Sequence, residues 1–288
     1  MAAKSSPTLR QRELSARLRD LRLQAGLTIE QVAEHLLCSP AKISRIETAK
    51  RGVSLRDVRD LTEHYGVPEA ERPYLMDLAR QSKDPAWWQN YDLPAPDFVG
   101  LETAAVGIEV NELTFVPALL QTEDYARALI EGLAPKLAAD VVQDRVKSRM
   151  IRQQALTADP PVRYWAVMDE GALQRVVGGP AVMREQYQAL SERALLPNVT
   201  IQVIPFAFGA HPGMEGNFTI LEFEDPVASG AVYIEGRLGY FVLEDLKDVE
   251  RYRRAVNDVR AVALSPRDSL GLIKEIASFH DREGPGQG

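Results

Sequence analysis

The chain has 288 residues, 45% hydrophobic and 26% charged, ordinary values for a folded protein of about two domains at roughly 100–200 residues each. No apolar run reaches the roughly 18 residues a membrane span needs, and the N-terminal MAAKSSPTLRQREL lacks a signal-like apolar stretch, so a cytoplasmic location is expected. The single cysteine, Cys38, excludes an internal disulfide and a cysteine-rich zinc site, and no metal or other cofactor is expected.

The net charge of −7 is unevenly spread: residues 1–60 carry 12 Lys+Arg against 7 Asp+Glu, which leaves −12 on the other 228. A polyanion would dock at the basic N-terminal end, and an acidic remainder would be held off it as a separate domain.

Leu14, Leu18 and Leu21, with Arg17, Arg19 and Arg22 between them, predict a first amphipathic helix over about 10–24 with a basic face, ended by Gly26. Thr28 caps a short second helix with Ile29, Val32, Ala33 and Leu36 apolar. Ser39-Pro40 opens a third, a capping side chain followed by the residue suited to the first helical position, with Ile43 and Ile46 inward. A fourth helix follows from Ser54 and a fifth from Glu69 to about Ala79, which makes an all-α N-terminal domain of five short helices over residues 1–83.

Residues 84–98 mix prolines and acids with Trp87, Trp88 and Tyr91 and read as an aromatic linker. In the C-terminal domain, 99–280, Thr122 caps one helix and residues 137–157 read as another. Segments at 162–168, 199–206, 218–223, 231–235 and 240–244 are rich in β-branched and aromatic residues and predict one sheet of about five strands. Helices are expected at about 170–177, 181–195, 245–263 and 268–280, so this domain is α+β or mixed α/β, and the tail 281–288 is expected to be disordered.

Residues 27–51 resemble the helix-turn-helix of the phage-repressor and xenobiotic-response-element family, through Leu27-Thr28, Val32-Ala33 and Ile43-Ser44-Arg45-Ile46-Glu47 at their expected spacing. The resemblance covers about 13–80. It implies that the third helix enters the major groove of double-stranded DNA, with Ser39, Ala41, Ser44 and Arg45 facing bases and Thr28, Gln31, Lys42, Lys50 and Arg51 near phosphates. Arg45 is the strongest candidate base reader, because its planar fork matches guanine O6 and N7. The sequence departs from the pattern at Leu37 and Ala49, where glycine is usual, so both must accept geometry that glycine takes more easily.

From about residue 100 the chain resembles the domain of undefined chemistry that accompanies such heads in the antitoxin-like regulators of streptomycetes and related actinobacteria. The resemblance rests on Phe115-Val116-Pro117, Leu119-Leu120-Gln121-Thr122, Tyr125-Ala126-Arg127, and Arg149 with Arg152-Gln153. Asp169-Glu170 with Gly178-Gly179-Pro180, Pro197-Asn198-Val199-Thr200, and Pro205-Phe206 ahead of Gly209 and His211 extend it.

No enzyme signature stands out: the histidines at 35, 64, 211 and 280 are scattered, and HExxH, GxSxG, P-loop and GxGxxG motifs are absent from the sequence. Asp169-Glu170 read as helix-opening acids rather than an acid/base pair, and Gly178-Gly179-Pro180 as a turn between helices. Cys38 reads as small buried filler rather than a redox thiol. The most site-like cluster is His211 with Glu215 in FGAHPGMEGN, and with Trp87, Trp88 and Tyr91 it forms the expected effector or partner site. Two functions fit: a homodimeric, repressor-like regulator on a palindromic operator whose C-terminal domain binds a small-molecule effector or small protein, or an antitoxin-like interaction module that mainly sequesters a small partner protein.

Overall fold

The computed structural model describes residues 6–224 and 230–282, with the main chain alone for the last two. The chain divides into two compact units between Asn90 and Tyr91.

The first unit is helical. Its elements are α1 (Pro7–Gln24), α2 (Ile29–His35), α3 (Pro40–Glu47), α4 (Leu55–His64) and α5 (Arg72–Gln81). Helix α1 starts three residues earlier than the leucine spacing suggests, because the Ser6 hydroxyl accepts from Leu9 N at 3.1 Å and Pro7 needs no donor there. Leu14, Leu18, Val32, Ile43, Ile46 and Leu61, each at most 1% exposed, form the centre of one core. Cys38 is partly buried against that core.

Arg22 corrects the expected basic face. Its side chain turns inward and pairs with Glu47, Nε to Oε1 at 2.7 Å and Nη2 to Oε2 at 2.9 Å, while Nη1 donates to the Leu27 carbonyl at 2.8 Å. One guanidinium thereby joins α1, the start of the turn before α2, and the last residue of α3. A charge is tolerated there only because every face of it is answered.

Residues 84–98, read from sequence as a linker, contain a 3-10 turn at Trp87–Asn90 and the first residues of α6 (Pro96–Ala104). Trp88 is buried and Trp87 half-buried, with their rings edge to face at 5.8 Å.

The second unit holds a sheet of six strands, one more than expected: β1 (Gly107–Glu112), β2 (Arg163–Asp169), β3 (Val199–Ile204), β4 (Phe218–Glu222), β5 (Ala231–Gly236) and β6 (Gly239–Leu243). Their order is β3-β2-β1-β4-β5-β6, parallel between β1, β2 and β3 and antiparallel from β1 through β6. The unforeseen strand, β1, is the one on which the parallel and antiparallel halves meet.

The intervening helices are α7 (Glu123–Leu133), α8 (Ala139–Gln153), α9 (Glu170–Gln174), α10 (Pro180–Arg193), α11 (Leu246–Val262) and α12 (Pro266–Arg282). The expected helix over 137–157 ends at Gln153 and tightens into a 3-10 turn at Gln154–Leu156. Helix α12 runs through Asp281 and Arg282, so the first two residues of the expected tail are helical; the rest of that tail lies outside the described residues.

Helix α11 covers one face of the sheet. Val249 and Val256 pack on Phe218, Ile220 and Val232, Val259 packs on Val167 and Ile204, and Arg260 stacks over the Trp165 ring at 3.8 Å while pairing with Glu109 at 2.8 Å. Alternation along β1 sends Ile108, Val110 and Glu112 to the opposite face, toward α6, α7 and α8.

Candidate functional site

Two places carry chemistry, one in each unit. In the first, α2 and α3 are both capped at their N-termini. Thr28 Oγ1 accepts from Gln31 N at 3.2 Å and Gln31 Oε1 accepts from Thr28 N at 2.8 Å, a reciprocal box, and Ser39 Oγ accepts from Lys42 N at 3.3 Å. The polar ends of Thr28, Gln31 and Ser39 therefore fix helix starts first and are exposed second.

Ala41 and Arg45 stand exposed on α3. Arg45 Nε donates to the Ala41 carbonyl at 3.2 Å, which holds the side chain along the helix and leaves the two terminal nitrogens outward. Ser44 is half-buried, and Lys50 and Arg51 are exposed beyond the helix end. Lys42 differs: its ammonium is engaged with Asp57 of α4 at 2.8 Å, so its charge is already answered within the head. The two departures from glycine carry left-handed backbone, Leu37 at φ 51° and Ala49 at φ 54°. Leu37 is 94% exposed and gains nothing from burial there.

In the second unit a cavity of about 630 Å³ lies between the sheet face of β1, β2, β4 and β5 and the helices α6, α7 and α8. Its body is apolar, including Phe98, Val110, Phe115, Leu129 and Ile130. Polar groups gather on its α8 side and, on the sheet side, at Asn111, Glu112 and Asn217. Arg145, Arg149 and Arg152 line it at helical spacing, with Ser148 beside them.

Arg152 is paired two-pronged with Glu102 of α6, Nη2 to Oε1 at 2.8 Å, and its guanidinium lies 5.5 Å from the Phe98 ring centre. Arg149 meets no carboxylate among the described residues. Its Nη1 donates to Gln121 Oε1 at 2.6 Å, its Nε is shut from solvent without a hydrogen-bond partner, and burial pulls its pKa down to about 10. The Ser148 hydroxyl is likewise buried and unpartnered. Gln121 is itself fully buried, its amide donating to the Val116 carbonyl at 2.5 Å, so the acceptor that aims Arg149 is fixed in turn. Sequence stretches around 116–121 and 149–153, noticed separately in the sequence, thus meet at one wall.

Across the cavity, burial pushes Glu112 up to about 7. Its Oε1 accepts from Thr114 N at 3.2 Å and Thr114 Oγ1 at 2.9 Å, and from Asn217 Nδ2. Glu112 was missed from the sequence together with its strand.

The expected effector residues are not brought together here. Trp87, Trp88, Tyr91, His211 and Glu215 are not among the residues lining this cavity. His211 is buried with Nε2 3.3 Å from Asp169 Oδ2, and its loop is fastened by Asn111, whose Nδ2 donates to the carbonyls of Gly213 at 3.0 Å and Gly216 at 2.9 Å. Glu215 is exposed on the 3-10 turn Pro212–Glu215. Asp169 caps α9 by accepting from Gly171 N at 2.7 Å, Glu170 accepts from Phe206 N at 2.8 Å, and Gly179 leads into α10. These acids and glycines organise turns, as their sequence context suggests. No group of acids, histidines and cysteine able to hold a metal occurs among the described residues. No helix among them is long and apolar enough to cross a membrane.

Comparison with known proteins agrees with this division. Residues 13–75 match a helix-turn-helix domain, so the first unit carries a DNA-binding head of the regulator type. No curated protein and no solved structure matches the chain. Residues 95–275, well over half of the chain, match the Domain of unknown function (DUF5753), and the chain belongs to that family.

Proposed function

We propose that this chain is a sequence-specific transcription regulator that binds a palindromic operator as a homodimer, and that its C-terminal unit binds an effector that changes operator affinity. The observation that carries the reading is the outward guanidinium of Arg45 on a capped, rigidly packed α3, within a segment that matches a helix-turn-helix domain. Arg45 reads a base, Ala41 offers a methyl contact, and Arg51 and Lys50 answer phosphates. Lys42 contributes less than its position implies, since binding a phosphate would mean leaving Asp57. The effector half of the reading is supported by a cavity with convergent polar groups, of a size ordinary for small-molecule sites, which run roughly 300–1,000 Å³.

Selection of operators from random duplexes with the full chain tests the DNA reading. Arg45→Ala should cost about 1–3 kcal/mol and relax specificity at one base position, while Arg51→Ala should weaken all sequences alike and reduce the salt slope by about one. An Arg45→Ala loss equal on every sequence would move Arg45 to the phosphates.

A further inference from the structure

We infer that the cavity between the sheet and α6–α8 binds a small organic acid with an apolar body, its anionic group seated on Arg149 and Ser148. The inference rests on, and deepens, the effector reading above by naming the class of ligand.

Charge balance is the first argument. Of the arginines that α8 presents to the cavity, Arg152 has its carboxylate in Glu102, and Arg145 donates to the main-chain carbonyl of Asp92 at 3.4 Å. Arg149 has a single partner, the neutral amide of Gln121, and its Nε has none. Arg149 is half-buried with its Nε shut from solvent, and a cation so placed with no carboxylate in contact among the described residues is costly to keep, a cost that an anion entering the cavity lowers. The remaining acids do not supply one. Glu112 already accepts three hydrogen bonds on one oxygen and sits where burial favours its neutral form; Glu235, exposed at the rim, and Glu102, paired with Arg152, favour the charged form of Arg149 only through space, without contact.

Donor geometry is the second. Arg149 and Ser148 are neighbours on α8, both lining the cavity and both carrying buried polar atoms without partners. Buried polar groups are nearly always satisfied, so two adjacent orphans mark a wall short of acceptors; both atoms are closed to solvent, so the wall shifts slightly when an anion reaches them. Gln121 is locked by Val116 and holds Arg149 in place before any ligand arrives, which limits the entropy lost on binding. The apolar remainder of the lining selects the body of the ligand: Phe98, Val110, Phe115 and Leu129 favour hydrocarbon or an aromatic ring over a sugar or nucleotide.

The test uses the full chain and two fluorescent probes with one aromatic body. 8-Anilino-1-naphthalenesulfonate carries an acid group; N-phenyl-1-naphthylamine lacks it. The sulfonate should bind saturably and about tenfold or more tighter than the amine, and Arg149→Met should weaken the sulfonate by about tenfold or more and leave the amine within about twofold. Arg149→Lys should fall between. On the unaltered protein, decanoate should displace the sulfonate at about one tenth or less of the concentration that decanol requires. Equal displacement by the acid and the alcohol, or equal loss of both probes in Arg149→Met, would overturn the proposal; the competition stands even if that variant fails to fold. Operator affinity measured with and without decanoate separates the two readings. Displacement of the probe with no change in operator affinity keeps the acid site and removes this ligand class from control of DNA binding, whereas absence of displacement removes the site and leaves the DNA reading to its own test.

Discussion

Glu112 ends a strand with its carboxyl out of water, and the linkage between its protonation and folding has a definite sign. Burial raises its folded pKa to about 7, above the ordinary glutamate value of 4.5, so between those values the folded chain holds a proton that the unfolded chain has released. The contribution is complete below about 4.5 and is lost as pH rises through about 7, a swing of up to about 3 kcal/mol. Glu112→Gln keeps an oxygen for Thr114 and Asn217 and removes the titration. It should flatten the pH dependence of urea stability of the C-terminal unit between pH 5 and 8, and raise stability at pH 8 above the parent's; an unchanged slope would show that Glu112 stays ionised. The arginines show the same dependence on surroundings. Arg22, Arg152 and Arg260 are each answered by a distant acid, while Arg149 is not, and nothing in their immediate sequence separates the four.

At the scale of the element, caps are where sequence and structure agree best. Thr28, Ser39, Ser54 and Thr122 each accept from the backbone amide three residues on, because capping needs only a side-chain oxygen and the next turn of chain. The turn between α2 and α3 is a local matter too. A left-handed non-glycine residue costs about 1–2 kcal/mol, and glycine returns part of that as lost backbone entropy, about 0.5–1 kcal/mol. Leu37→Gly should therefore stabilise the N-terminal unit by up to about 1 kcal/mol, read as a higher urea midpoint with unchanged operator affinity. A lower midpoint would mean that the exposed leucine makes a contact worth more than its strain. The opposite situation holds for β1, whose sequence GIEVNE alternates Ile108 and Val110 with Glu109 and Asn111 over only four residues and carries two acids and an amide, too short and too polar a stretch to stand out as a strand. Glu109 is matched by Arg260, Asn111 is spent on the Gly213 and Gly216 carbonyls, and Glu112 is held by Asn217. Every one of those partners lies at least 100 residues away.

For the molecule as a whole, affinity for one operator among the roughly 10⁶ or more competing sites of a genome asks for more contact than one small head provides. Two heads related by a twofold axis, as proposed above, would supply it, with half-sites about 34–36 Å apart or a multiple of that. The chain should therefore sediment at twice its 32.0 kDa in the absence of DNA, and removing residues 91–288 should abolish that doubling. A strictly monomeric mass on and off DNA would defeat the dimer. The sequence by itself determined the head, the capped starts of α2, α3 and α4, the inward apolar faces and five of the six strands, since capping, 3.6-residue periodicity and β-branched runs act over a few residues. Only the tertiary structure decided that β1 exists, that Arg22 is inside and that Lys42 is engaged. The cavity wall depends on it as well, because 116–121, 149–153 and 112 become neighbours only when the sheet and α8 are assembled. A charged residue in a sequence looks solvated until its partner is known, and the partner is chosen by the fold.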